Sequence, residues 1–131
     1  MTAEREKRVP QRIETPEYAC WMGEDGIVRF SLHRGTDLDL AFAEAAVESF
    51  REIGGDRPRP LLVLLDQAKS MSREARDYFS NVRGPSAVGM VVASPIARVI
   101  GSVFMGLLQH APYPARLFAT EEEAVQWLKQ R

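Results

Sequence analysis

Leu61-Leu62-Val63-Leu64-Leu65-Asp66 is apolar over five consecutive positions before it reaches a charge. A strand with one wet face alternates apolar and polar side chains, so a run without alternation reads as a strand covered on both faces and central in its sheet. Ala87 to Ala93 reads as a second buried strand, and Ala115 to Phe118 as a short last one. Between such runs the chain has to return, and a connection that carries a helix is the usual way to do so.

The intervening segments have helical period. Thr36 or Asp37 caps a stretch in which Phe42, Ala46, Ser49, Phe50 and Ile53 recur at helical spacing, and Gly54-Gly55 supplies its stop. Asp56-Arg57-Pro58-Arg59-Pro60 then reads as a rigid exposed connector, because each proline restricts itself and its predecessor. After a short loop Ser72 stands at a cap position, and Ala75, Phe79 and Val82 form a modest stripe that ends at Gly84-Pro85. Ser94-Pro95 opens a third helix, with proline where its missing amide hydrogen costs nothing. Its stripe is Ile96, Val99, Ile100, Val103, Phe104, Leu107 and Leu108, and Pro112 and Pro114 close it. Thr120-Glu121-Glu122-Glu123 is a capping box for a last helix whose inward face is Ala124, Trp127 and Leu128. Ahead of all this, Tyr18 to Met22 and Ile27 to Leu32 flank Gly23-Glu24-Asp25-Gly26, a hairpin signal.

The predicted order is ββαβαβαβα, an α/β domain whose mixed sheet has a parallel part joined by right-handed crossovers. Residues 1–16 alternate charges with Pro10 and Pro16 and lack apolar side chains to offset the entropy of ordering, so they read as a flexible tail ahead of a domain over 17–131. With 131 residues, 45% hydrophobic and 27% charged, the chain suits one globular core. Seventeen basic against eighteen acidic residues leave a net charge of −1, which gives no overall field toward nucleic acid or anionic lipid. One cysteine, Cys20, closes no disulfide within the chain, and no secretory leader pattern is seen, so a cytoplasmic location is expected.

Three segments, in this order and spacing, carry a resemblance. Ser72-Arg73-Glu74-Ala75-Arg76-Asp77-Tyr78-Phe79 after Leu65-Asp66, Ser94-Pro95 with Arg98-Val99-Ile100-Gly101, and Phe118 followed by Glu123-Ala124-Val125-Gln126-Trp127-Leu128 resemble the SpoIIAA-like STAS proteins of bacteria, nearest a small uncharacterised branch. The resemblance covers the chain from about Tyr18 onward. It implies a SpoIIAA-like (STAS) mixed sheet with helices packed mainly on one side, and a regulatory role exercised through protein–protein interaction. STAS antagonists of anti-sigma factors carry a phosphorylatable serine at the start of the helix after the central strand. By position that implies Ser72, or Ser70 if the helix begins earlier, although the Asp-Ser-Ser-Gly stretch of those antagonists is replaced here by Ser-Met-Ser-Arg-Glu. Some SpoIIAA-like relatives are thought to bind lipid-like or other apolar ligands, which implies the alternative of a small-molecule or lipid-binding module with an apolar pocket beside the 95–109 helix.

From the residues themselves, the best binding candidate is the edge where the two buried strands end. Asp66 closes one strand and Ser94 the other, and parallel strands would deliver the helix starts at Ser72 and Ser94 to that same edge. Arg73, Arg76 and Arg98 lie in the first turns there, so amides and guanidinium forks together could hold an anion or an acidic partner side chain. The plainer alternative makes Ser72 and Ser94 simple caps, with Asp66 paired to an arginine. The third helix has no charged side chain from Val99 to Leu108, and Met105 lies off its main stripe. Val99, Val103 and Met105 therefore make a candidate interface, for a homodimer or a protein partner.

Catalytic chemistry is not indicated. His33 and His110 have no Cys, His or acidic neighbour at ligand spacing, so no metal is expected, and Cys20 sits in an apolar strand beside Trp21. Nucleotide-loop, dinucleotide and nucleophile-elbow patterns are missing from the sequence, and no cofactor is expected. Arg57 and Arg59 form a basic spot without interleaved aromatics, which does not suit nucleic acid. The 95–109 segment is also shorter than the roughly 20 residues a membrane span requires.

Overall fold

The computed structural model describes residues 12–131. A hairpin sets one side of its sheet. Strand β2 (Tyr18–Met22) pairs antiparallel with β3 (Val28–Leu32), and Gly26 takes a positive φ of 80° in the turn between them. Asp25 in that turn accepts from the Ile27 amide at 3.1 Å and forms a two-bond pair with the Arg29 guanidinium, which holds its carboxyl below the usual range. Strand β1 (Arg12–Glu14) adds to β2 antiparallel. The tail expected over 1–16 thus gives way to sheet from Arg12 onward, and residues 1–11 of that segment lie outside the described residues.

Beyond β3 the sheet turns parallel. Strand β5 (Arg59–Leu64) lies between β3 and β7 (Pro85–Val91), and β8 (Ala115–Phe118) closes the order β1-β2-β3-β5-β7-β8. The 61–66 run is therefore central, as its composition demands. Proline inside a central strand cannot donate to the ladder, and Pro60 stands where the β5–β7 register shifts.

Two short segments expected as a cap and a loop are strands. Thr36–Leu38 (β4) pairs parallel with Ala68–Met71 (β6) in a separate two-stranded sheet. The reason is burial: Thr36 and Leu38 are 5% and 2% exposed, and only the extended backbone turns both inward while Asp37 faces out. The cap moves to Asp39, whose Oδ1 accepts from the Phe42 amide at 2.8 Å.

Four α-helices occur among the described residues: α1 (Leu40–Gly54), α2 (Arg73–Phe79), α3 (Pro95–Leu107) and α4 (Glu121–Leu128). Phe42, Ala46, Phe50 and Ile53 of α1 and Ala97 and Ile100 of α3 join Tyr18, Phe30, Val88 and Met90 in the main core. Helix α2 packs against both α1 and α3 on that same side. Helix α4 covers the opposite face, burying Ala124 and Leu128 against Ile27, Leu62, Ala87 and Val91. Helices are thus mainly on one side, in a mixed and mostly parallel sheet. Helix α3 is rotated from its expected register: Ile96 and Val99 are 56% and 65% exposed, while Ala97, Ile100 and Gly101 are buried. A Cβ on Gly101 would stand 2.9 Å from Val92 Cγ1 and 3.1 Å from Leu117 Cδ2, so the helix backbone is pressed against the sheet at that point. The smallest residues, not the bulkiest, face inward there.

Candidate functional site

Strands β5 and β7 run parallel and in step, Leu64 opposite Val91, so Asp66 and Ser94 emerge at one edge as expected. There both accept from backbone amides. Asp66 Oδ1 accepts from the amides of Ala93 at 2.7 Å and Ser94 at 3.0 Å, and Ser94 Oγ accepts from the Ala97 amide at 3.1 Å. The carboxylate thus takes two amides at the approach to α3 that the anion reading assigns to a ligand. Among the described residues Asp66 pairs with backbone and not with an arginine.

Ser72 is also a working cap, accepting from the Ala75 amide at 3.1 Å, and its own amide donates to Leu38 O at 3.0 Å. That bond ties the start of α2 to the approach of α1. Ser70 donates its hydroxyl to Asp37. Arg73 and Arg98 are exposed and Arg76 is half-buried, and among the described residues none of the three forms an ion pair. Arg98 reaches back to Val92 O at 3.5 Å. Of the expected interface residues, Val99 is well exposed, while Val103 and Met105 are half-buried and Met105 packs on the core.

A second feature lies elsewhere, inside the layer between sheet and helices. An apolar cavity of about 100 Å³ has Phe30, Leu61, Val63, Val88 and Met90 as its floor. Phe42, Ala46 and Phe50 of α1 form one wall, and Phe104 and Leu108 another, with Phe79 and Val82 between them. None of the six residues expected at the strand ends lines it. Its cause is local. Helix α2 has only seven residues, too few to roof the central strand, so Leu61 and Val63 stay partly exposed although strands flank them on both sides. Phe79, Val82, Phe104 and Leu108 are partly exposed as well, so the chamber is not sealed. Sequence reasoning missed it because five apolar residues in a row read as covered twice over. The available signal was the shortness of the stripe after Ser72.

Other reactive groups are quiet. Cys20 is fully buried and its thiol is pushed up to about 12 by desolvation, which removes the thiolate that nucleophilic chemistry needs. His33 Nδ1 lies 3.0 Å from Pro16 O, at the surface. Among the described residues no group of three or more His, Cys, Asp or Glu is placed to hold a metal, and no helix is long and apolar enough to cross a membrane.

The family described as "Domain of unknown function (DUF7793)" matches residues 20–131. No curated protein matches the chain. Among solved structures, an uncharacterised protein of the DUF3478 family with a SpoIIAA-like fold, from Shewanella loihica PV-4, superposes with a TM-score of 0.60 at 12% identity, covering 88% of this chain and 98% of that one. A protein with unknown function from Arthrobacter sp. FB24 is 31% identical over 86% of this chain and 99% of that one, with a TM-score of 0.34.

Proposed function

The chain belongs to the DUF7793 family and has a SpoIIAA-like fold, and from that premise we propose that it is a non-enzymatic, cytoplasmic module that binds a small apolar ligand between its sheet and its helices. The observation that carries this is the chamber over Leu61 and Val63. Cores normally pack to the density of organic crystals, and leaving a central strand half-roofed forfeits contacts that a few methylenes would restore. Apolar voids of this order stay dry and accept hydrocarbon groups. A ligand there is held by burial, at roughly 0.8 kcal/mol per methylene removed from water.

Titration with 1-octanol, followed by methyl NMR, tests the reading. Saturable shifts confined to methyls of Leu61, Val63, Val88 and Leu108 are expected. Val63→Phe fills the space and should weaken binding by at least about tenfold while the unfolding transition is kept, and Ala46→Met serves as a second filling variant. Absence of saturable shifts in the parent protein overturns the proposal.

One observation favours a second reading, regulatory association with a protein partner or a second copy. Ile96 and Val99 stand side by side on the outer face of α3 at more than half exposure, next to Arg98. In that reading Arg73, Arg76 and Arg98 form the charged margin of the contact, and Ser72 is the position where phosphorylation would act on it.

A further inference from the structure

The wall of the chamber stops being hydrocarbon at one place. Tyr113 alone among its lining residues carries a polar side-chain atom. Its residue is 8% exposed, and its hydroxyl makes no hydrogen bond among the described residues. Among the described residues no fully enclosed side-chain polar atom lacks a partner, so that hydroxyl is in reach of water. Arg83 is near enough to that hydroxyl for its charge to act on it. It lies between Val82 and Pro85, both in the cavity wall, on the approach to β7. Tyr113 holds the matching place on the approach to β8, where Val88 pairs with Ala115 and its amide donates to Pro114 O at 2.9 Å. Arg83 is exposed and forms no ion pair among the described residues.

Resting on the apolar-ligand reading above, we propose that the ligand is a single-chain carboxylate amphiphile, its tail in the chamber and its carboxylate held at the rim by the Arg83 guanidinium and the Tyr113 hydroxyl. The chemistry fits on each side. A guanidinium offers a planar pair of donors that matches a carboxylate, and a phenol adds a third. Burial pushes the Tyr113 phenol up, while the charge of Arg83 acts on it in the opposite sense; the phenol stays protonated at neutral pH and can donate. A space of about 100 Å³ takes part of one slender chain and leaves no room for two. One cation and one neutral donor balance a single negative charge.

Octanoate, 1-octanol and octyl phosphate, titrated at pH 8 below their micellar concentrations, provide the test. The parent protein should bind octanoate about tenfold more tightly than octanol. Arg83→Gln and Tyr113→Phe should each lower octanoate affinity far more than octanol affinity, erasing most of that preference, with the thermal midpoint unchanged. Octanol binding with no octanoate preference, or a preference that both variants retain, overturns the head-group assignment and leaves the apolar chamber standing. Tighter binding of octyl phosphate than of octanoate overturns the carboxylate class. Failure of all three to bind overturns the chamber reading itself.

Discussion

Cys20 shows how far one side chain's surroundings can be read as thermodynamics. Its thiol sits at 0% exposure in β2, and burial pushes it up to about 12, well above an ordinary cysteine. The unfolded chain therefore releases this proton first as pH rises. The resulting stability is fully present below about pH 8.5 and declines from there toward 12, by about 2 kcal/mol near pH 10. Urea unfolding between pH 7 and 10 under reducing conditions should show that decline, and Cys20→Ala should flatten it; equal slopes would show that the thiol is not the group responsible. At this scale the sequence was legible where chemistry is local. Ser72, Ser94 and Thr120 each cap the helix they precede, because a cap needs only the next three residues. Asp66 was not legible, since the amides it accepts from belong to Ala93 and Ser94, on the far side of a helix and a strand.

Helix α3 shows the same division one level up. Its start, its stop and its helical period were all written in the residues, yet its rotation was not. The apolar stripe is broad enough to offer more than one face, and the sheet selected the face on which Gly101 and Ala97 allow close approach. Gly101→Ala should then destabilise the fold by about 1–3 kcal/mol despite alanine's better helix propensity, through contact with Val92 and Leu117. Gly106→Ala, where a Cβ meets nothing within 4 Å, should instead stabilise by about 0.5–1 kcal/mol. Thermal or urea melts of the pair give the comparison, and a Gly101→Ala protein as stable as the parent would show that the approach is looser than described. Strands β4 and β6 escaped the sequence reading for a related reason: three- and four-residue segments have too few alternations to register, and they become strands by pairing with each other.

The whole molecule offers a second surface besides the chamber, the outer face of α3 with Ile96 and Val99. If the outer face of α3 joins two copies, sedimentation velocity should show concentration-dependent association, and Val99→Glu should abolish it without changing octanol binding, because Val99 faces away from the chamber. A parent protein that sediments as a monomer up to high micromolar concentration would remove self-association through this face.

The sequence by itself determined the α/β class, the central place of the 61–66 run, the hairpin and the caps at Ser72, Ser94 and Thr120, because periodicity and turn chemistry act over a few neighbouring residues. Only the tertiary structure decided that a seven-residue helix leaves that central strand half-covered, that Asp66 gives its carboxylate to backbone amides, and that Tyr113 joins the wall of the space so left. Those outcomes depend on which distant segments share a volume, a quantity settled when the layers pack and carried by no local stretch of chain.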